Sequence, residues 1–526
     1  MELELYDCTL REGEQAAGAH FSLEARVNLF KELEDFGFNY VELGWPLSSE
    51  DIGKSFELCR EVRKKSKIVA FGSTSRSDNV EDDINLKSLL DSKADYSCIF
   101  GKTIKEHIEM QLKISPEDNL KRIEKSVEFL LDNSMPVFYD AEHFFDGFKD
   151  DESYALSTLL AAHRGGAEKI ILCDTKGGVI PVEVQRAVKK VRDFFGEKNI
   201  EIDLGVHFHN DSGLALANTL VSLDCVKQIQ GTINGTGERV GNLNFSEFIP
   251  VCVRKLGQKL DFDISKLKQL HDNSFRYVGL EVPKNVPFVG ENAFTHKGGT
   301  HIDAINKNAS YEHESPEEFG NKRVVLLNTL GGRGVVVAVA KEHGYDLDKN
   351  NSDIKSKIKN LFEELRDIER RGYNLGNVSA EQFLLVEKYF GNLKRFFELQ
   401  DSYFETRIKE DTEESRFTTM FGFVGEEKEN LRMHVEGGPI DAAYKALQKA
   451  IGEKHKEVYG LRLVDFHVGI ARYHGEESSV RTSISFSNGE SFETIGVDKN
   501  IMQSSLEALE KGFRYYLNKL YKEKKD

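Results

Sequence analysis

The first 260 residues alternate between short β-rich runs and amphipathic segments, and this alternation constrains the fold more than any other feature. The eight strand candidates are 3–7, 39–44, 67–72, 96–101, 136–142, 169–174, 202–209 and 228–233. Between them, apolar residues recur every three or four positions, as at Leu23, Val27 and Phe30. Eight such units predict an α/β fold with a TIM (β/α)8 barrel over 1–261. A doubly wound sheet is the alternative, because a count of strands does not show that the sheet closes.

The rest of the chain has a different pattern. Residues 262–412 are expected to form helical linker subdomains, since apolar side chains such as Ile354, Ile358 and Leu361 keep helical spacing. The polar stretch KEDTEES at 409–415 marks a boundary before a last domain, 413–526. That domain repeats a β-rich unit followed by a helix, which predicts a pseudo-symmetric α+β regulatory domain.

Composition and charge exclude several classes of function. The 526 residues carry 88 acidic and 71 basic side chains, and the net charge of −17 argues against binding nucleic acid or an anionic membrane. No run of 18 apolar residues is present, and the N-terminus does not have the pattern of a signal peptide. The six cysteines are scattered without a C-x-x-C pair, so we expect a reduced, cytoplasmic protein.

Polar side chains follow the ends of several predicted strands. Arg11 and Glu12 come just after the first strand, Glu142 ends the fifth, and Thr175 follows the sixth. In a TIM barrel the carboxyl ends of all strands meet at one face, where the active site lies. The sequence therefore predicts an enzyme.

The strongest local signal is the pair His207 and His209, two residues apart at the end of the seventh strand. Side chains two apart on a strand point to the same side, and two imidazoles with a carboxylate such as Glu12 suit a divalent metal ion. The glycine-rich segment GTINGTGERVGNLN follows the eighth strand and would let Asn242 approach that metal. An incidental histidine pair and a plain turn are the alternatives.

Other motifs are less specific. The glycines of GTINGTGERVGNLN do not open the first β-α unit, so a dinucleotide site is disfavoured. The segment NAFTHKGGTHID holds His301 and Asp303 beside two glycines, which suits either a group that reaches into a site or a solvated loop. No G-x-S-x-G elbow and no P-loop are present.

Taken together, these motifs resemble one family. The matching segments are YDCTLREGEQAAGAHFSLEARVNLFKELEDFGFNYVELGWP, YDAEHFFDGFK, LCDTKGG, VHFHNDSGLALANTL, GTINGTGERVGNLN, AFTHKGGTHIDA and GGPIDAAYKAL. Their order and their spread over nearly the whole chain are similar to the isopropylmalate/homocitrate synthase family of metal-dependent acyltransferases.

The resemblance implies a Claisen-type condensation of acetyl-CoA with a 2-oxo acid, assisted by Mg²⁺, Mn²⁺ or Zn²⁺. It implies Glu12, His207, His209 and Asn242 as the metal site. Arg11 would stabilise negative charge, Glu142 would be the acid/base, and Gln15 and Thr175 would bind substrate with Arg11. His301, Asp303 and Tyr311 match catalytic positions that arrive from a partner subunit, so a homodimer is expected.

Within the family, the resemblance favours pyruvate as the 2-oxo acid and (R)-citramalate as the product, the first step of the pyruvate route to isoleucine. The C-terminal domain would then bind isoleucine as an effector. Synthesis of homocitrate, isopropylmalate or citrate of the Re type is the alternative, since Glu12 stands where homocitrate synthases also have Glu. A non-catalytic amino-acid sensor and a metal-dependent hydrolase are rivals from other classes.

Overall fold

The computed structural model describes residues 3–77, 79–307, 311–348, 350–376, 378–408, 413–472 and 478–524. The chain forms two compact units. The first contains residues 1–294 and 314–322, and the second contains 295–313 and 323–526.

The first unit is a closed barrel of eight parallel strands. The strands are β1 (Glu4–Asp7), β2 (Tyr40–Gly44), β3 (Lys67–Ser73), β4 (Tyr96–Lys102), β5 (Val137–Glu142), β6 (Lys169–Asp174), β7 (Asp203–Phe208) and β8 (Gln228–Gly231). Strand β1 pairs with β8 from Glu4↔Gln228 to Asp7↔Gly231, which closes the sheet. The predicted TIM barrel is confirmed, and closure rules out the doubly wound alternative.

Twelve α-helices are described in this unit. They are α1 (Thr9–Glu12), α2 (Leu23–Phe36), α3 (Glu50–Val62), α4 (Ile84–Asp91), α5 (Lys105–His107), α6 (Pro116–Asp132), α7 (Phe144–Asp150), α8 (Glu152–Arg164), α9 (Pro181–Gly196), α10 (Ala215–Ser222), α11 (Phe245–Arg254) and α12 (Leu267–Tyr277). Several begin at a serine that caps the helix; the side chains of Ser22, Ser49 and Ser115 each accept from a backbone N–H three residues on. A π turn at Ile108–Leu112 follows α5.

The barrel has apolar packing on both sides of its strands, but its interior becomes polar towards the carboxyl ends. Leu5, Val41 and Leu172 belong to the large core that packs with the helices. The inward-facing cluster includes Tyr6 and Phe138. Because strand side chains alternate, residues two positions further along a strand share that interior side. The interior therefore leads from packed rings to ionisable groups at the strand ends.

The second unit joins small strands, helices and two antiparallel sheets. Its elements are β9 (Thr295–His296), α13 (Gly299–Asn306), β10 (Val324–Val325), α14 (Gly332–Glu342), α15 (Ser352–Arg370), α16 (Ser379–Tyr389), β11 (Phe397–Ile408), β12 (Glu413–Phe423), β13 (Glu429–Glu436), α17 (Pro439–Gly452), β14 (Arg462–Arg472), β15 (Ser479–Ser487), β16 (Ser491–Asp498) and α18 (Ile501–Glu523). The sheet orders are β11-β12-β13 and β14-β15-β16, each followed by one helix. The repeat predicted for a C-terminal α+β domain is thus confirmed.

One strand of this repeat lies outside the predicted domain. Strand β11 starts at Phe397, within the stretch expected to be helical, and its pairing with β12 shifts register between Gln400 and Tyr403. That irregularity interrupts the two-residue alternation by which a strand is recognised in a sequence. The predicted boundary at 412 falls on 409–412, outside the described residues, so the three-part division stays a prediction. Among the described residues, no helix combines the length and apolar character needed to cross a membrane.

Candidate active site

A cavity of about 620 Å³ opens at the carboxyl ends of the barrel strands. The residues that line it are Arg11, Glu12, Glu14, Gln15, His20, Gly44, Trp45, Ser48, Ser49, Ile52, Phe71, Phe100, Asp140, Glu142, Cys173, Thr175, His207, His209 and Glu238. Seven of the side chains singled out from the sequence are among them, and they come from β1, β5, β6, β7 and the turns that follow. The fold therefore brings the predicted barrel residues to one place, as expected for this face of a TIM barrel.

The first turn after β1 is fixed by a buried carboxylate. Asp7 accepts hydrogen bonds from the backbone N–H and the hydroxyl of Thr9, at 2.9 and 2.8 Å. The same hydroxyl accepts from the N–H of Ile233 at 2.9 Å, which ties this turn to the segment after β8. Burial raises the pKa of Asp7 to about 7. This anchoring sets where helix α1 starts and so where its Arg11 and Glu12 project.

Glu12, His207 and His209 form a compact, buried group. One possible ligand atom from each lies within 4.8 Å of the others. Their exposed fractions are 3%, 4% and 6%. Of the Cys, His, Asp and Glu side chains that the structure describes, this is the one set of three so arranged.

The protonation states of this group suit a metal ion. Burial acts to raise the pKa of Glu12, but the Arg11 guanidinium and the two imidazoles outweigh it and hold the pKa at about 2. Burial, together with the neighbouring His207, lowers the pKa of His209 to about 4. At neutral pH the group thus offers a carboxylate and a neutral imidazole, the forms that bind metals.

The hydrogen bonds around this group also bring several acceptor atoms together. The Nδ1 of His207 lies 3.0 Å from Gln230 Oε1, which only accepts, so Nδ1 can donate there and leave Nε2 to bind a cation. That Nε2 lies 3.0 Å from Asn242 Oδ1 and 3.9 Å from Glu12 Oε1. The Nδ1 of His209 is buried without a hydrogen-bond partner among the described residues. Converging acceptors and an orphaned nitrogen fit a divalent cation.

Arg11 lies between two carboxylates. It forms ion pairs with Glu12 and with Glu42, and its guanidinium stacks 3.9 Å from the ring centre of Phe71. Glu42 is fully buried on β2 and also accepts from the hydroxyl of Tyr6, and burial raises its pKa. Sequence reasoning missed Glu42; the available signal was a single carboxylate within the buried strand YVELG.

Glu142 and Thr175 stand at the opposite part of the rim. Glu142 Oε2 lies 2.6 Å from the ammonium of Lys102. Thr175 accepts from the backbone N–H of His143 at 2.8 Å, and His143 has a left-handed backbone with φ of 59°. This bond links the end of β5 to the turn after β6, so the two side chains are held together.

The loop after β8 places Asn242 by close backbone packing. A Cβ on Gly241, whose φ is 92°, would lie 1.9 Å from the carbonyl oxygen of Gly235. A Cβ on Gly237 would lie 2.1 Å from Asn242 Nδ2. The glycines therefore let the loop fold tightly enough for Asn242 to reach His207.

The three remaining predicted residues belong to the second unit. His301 and Asp303 lie on α13, and the rings of His301 and Tyr311 are 4.5 Å apart. Asp303 forms an ion pair with Lys307 at 2.6 Å. Their role in a shared active site stays a prediction.

Comparison with known proteins gives matches along the whole chain. Family models match at residues 2–273 (HMGL-like), 288–366 (homocitrate synthase post-HMGL domain-like) and 383–517 (LeuA allosteric, or dimerisation, domain). An (R)-citramalate synthase of Aquifex aeolicus is 37% identical, and one of Geobacter sulfurreducens is 36% identical; each alignment covers 98% of both chains. A homocitrate synthase, AksA, of Methanopyrus kandleri is 31% identical over 66% of this chain and 84% of its own.

Proposed function

The chain belongs to the (R)-citramalate synthase family, and we propose that it condenses acetyl-CoA with pyruvate and water to give (R)-citramalate and CoA. The observation that carries this proposal is the buried group Glu12, His207 and His209 beside Arg11 at the mouth of the barrel. It places a candidate metal site and a fixed cation within one cavity, which is what an aldol-type addition to a keto group needs.

We assign the residues as follows. Glu12, His207, His209 and Asn242 would hold a divalent cation, which when bound supplies polarisation of the keto carbonyl. Thr175 hydrogen-bonds the carboxylate of the 2-oxo acid, and Gln15 closes the pocket. Glu142 takes a proton from the acetyl methyl group. Arg11 stabilises the negative charge that develops on oxygen when the new C–C bond forms.

The lining of the cavity supports pyruvate over 2-oxo acids with a second carboxylate. Among the described residues that line it, Arg11 is the one Arg or Lys, and two carboxylates already engage it. The wall beside Arg11 is aromatic, with Phe71 and Phe100 stacked at 5.6 Å between ring centres. An apolar wall suits a methyl group. Arg11, and Lys102 beside Phe100, are both paired with carboxylates, so among the described residues neither cation is left unpaired for the extra carboxylate of 2-oxoglutarate. Homocitrate synthesis is therefore not favoured.

Regulation and assembly are further parts of the proposal. We propose that two copies form a homodimer in which His301, Asp303 and Tyr311 complete the partner's active site. The C-terminal domain, which matches an allosteric domain, would bind isoleucine. A reducing compartment such as the cytoplasm suits the chain, because all six cysteines are free thiols and five of them are buried.

The test is release of free CoA from acetyl-CoA, measured against a panel of 2-oxo acids with and without EDTA. We expect pyruvate to give the highest kcat/KM, and EDTA to abolish turnover until excess Mn²⁺ or Mg²⁺ is restored. Highest activity with 2-oxoglutarate would contradict the substrate, and activity that EDTA leaves unchanged would contradict the metal. Isoleucine added to the same assay should lower the rate.

A further inference from the structure

His207 is the end of a buried line of hydrogen bonds that crosses the barrel interior. Its Nδ1 lies 3.0 Å from Gln230 Oε1, and Gln230 Nε2 donates to Asp140 Oδ1 at 3.3 Å. The three side chains come from β7, β8 and β5, and each is at most 4% exposed. They lie far apart in the sequence, and the barrel brings them together.

The hydrogen bonds of this line can all be donated in the same direction, from His207 through Gln230 to Asp140. Asp140 Oδ1 also accepts from the thiol of Cys98 at 3.1 Å, so this oxygen faces two donors and acts as an acceptor. Gln230 must therefore turn its NH₂ group towards Asp140 and its carbonyl oxygen towards His207. The imidazole can then donate from Nδ1, which leaves its Nε2, 3.0 Å from Asn242 Oδ1, free to bind a cation on the side of Glu12 and Asn242.

We propose that Asp140 and Gln230 are positioning residues that hold His207 in the tautomer that binds the metal. The inference rests on the metal dependence in the proposed function and deepens it, because it names the residues that fix the tautomer of one metal ligand, His207. Partners of this kind orient a ligating imidazole and raise its basicity. The other explanation is that the two side chains only fill the barrel interior.

Gln228 offers a matched control for that explanation. It precedes Gln230 by two residues on β8, is also fully buried, and has no hydrogen bond to His207 in the structure. Its Oε1 only accepts a 3.4 Å bond from Gln230 Nε2. Gln228→Met and Gln230→Met thus remove the same group from two equally buried positions on one strand, and only the second removes the acceptor for His207.

The measurement is calorimetric titration of Mn²⁺ alone into the metal-stripped, full-length protein. We expect Gln230→Met to weaken Mn²⁺ binding about 10- to 100-fold, the usual effect of losing such a partner. Gln228→Met should bind Mn²⁺ as the unaltered protein does. Thermal unfolding of both variants separates lost packing from lost metal affinity.

A double variant tests the direction of the line. Gln230→Glu alone places a carboxylate next to the carboxylate of Asp140. Asp140→Asn alone removes the carboxylate that accepts from Gln230. Each single variant should therefore bind Mn²⁺ more weakly. Combining them restores a complete line, because the new amide at position 140 can donate to the new carboxylate at position 230. That carboxylate in turn accepts from His207. We expect the double variant to recover most of the lost affinity.

Equal Mn²⁺ affinity in Gln230→Met and the unaltered protein would overturn the inference. It would also fail if the double variant bound no better than Gln230→Glu alone. These results are separate from the proposed function, because they need no substrate. A protein whose variants follow the expected order but which does not use pyruvate keeps the positioning role and loses the proposed substrate.

Discussion

At the scale of single residues, Arg11 is the most constrained side chain of the site. Its guanidinium is held by carboxylates on two sides and by the face of Phe71, so the side chain has little conformational freedom left. A planar fork can serve both carboxylates at once, whereas an ammonium acts as a point charge. The geometry of Arg11, and not only its charge, is therefore expected to matter for activity.

Arg11→Lys tests this expectation. We predict a loss of about 100- to 1,000-fold in kcat, the size seen when a group that stabilises an oxyanion is removed. The loss is measured by CoA release at saturating acetyl-CoA and pyruvate. Arg63→Lys is the control, because Arg63 pairs with Asp95 at the surface, and it should leave kcat unchanged. A kcat near the normal value in Arg11→Lys would contradict the role proposed for the planar guanidinium group of Arg11.

At the scale of elements, the loop between β8 and α11 decides where Asn242 lies. This loop returns on itself so closely that the backbone N–H of Asn242 donates to the carbonyl of Gly235 at 3.0 Å. The side chain then meets His207 and Glu12. A polar residue reaches the site here through backbone packing and not through its place on a strand.

Gly241→Ala should disturb this loop. The added methyl group would meet the Gly235 carbonyl in a backbone conformation with φ of 92°, so we expect a loss of about 1–3 kcal/mol in the free energy of unfolding and weaker metal binding. Urea unfolding and Mn²⁺ titration measure the two effects. Gly178→Ala is the control, since a Cβ there meets nothing within 4 Å. Equal effects in both variants would show that the loop is not tightly packed.

The contact between α11 and α12 should make stability depend on pH. His271 on α12 is fully buried, its Nδ1 lies 3.1 Å from the Ser246 hydroxyl, and burial lowers its pKa to about 3. The unfolded chain takes up a proton near pH 6.5, but the folded protein does not until far lower pH. Acid therefore favours the unfolded state, by roughly 2 kcal/mol at pH 5 for this one group.

His271→Phe isolates this contribution. Its free energy of unfolding should fall less between pH 7 and pH 5 than that of the unaltered protein, by about the same 2 kcal/mol. Urea unfolding at the two pH values provides the comparison. An identical pH dependence in both proteins would mean that His271 is protonated in the folded state.

At the scale of the whole molecule, the candidate site residues are divided between the two units. The barrel carries the possible metal ligands, Arg11, Glu142 and Thr175, whereas His301, Asp303 and Tyr311 are in the second unit. If each active site combines a barrel with the second unit of a partner, no single copy of the chain holds a complete site. That arrangement can be tested without knowing the structure of the dimer.

Co-expression of Arg11→Lys and His301→Ala chains is the test. Each variant alone should have little activity, but a mixed dimer would contain one site with both changes and one with neither. A purified mixed dimer should therefore show about half of the normal activity, because one of its two sites is intact. CoA release by tagged, purified mixed dimers measures it. No recovery in these dimers would place all catalytic residues of a site within one subunit.

Much of this protein could be predicted from local patterns. Eight strand candidates match β1 to β8 within a few residues, because buried parallel strands are continuous apolar runs separated by amphipathic helices. The position of the functional face could also be predicted, since polar residues at the carboxyl ends of the strands must meet at one face of a barrel. The pair His207 and His209 could be recognised because two residues are one period of a strand.

Tertiary structure alone decided what surrounds those residues. Glu42 meets Arg11 because β1 pairs with β2 in a fixed register, and Asp140 meets Gln230 across the interior because the sheet closes into a barrel. A carboxylate or an amide within an apolar strand has no local signal that names its partner. The sequence by itself thus determined the helices and strands and the functional side chains at the strand ends. The tertiary structure of the barrel decided which buried groups contact those side chains and fix their orientation.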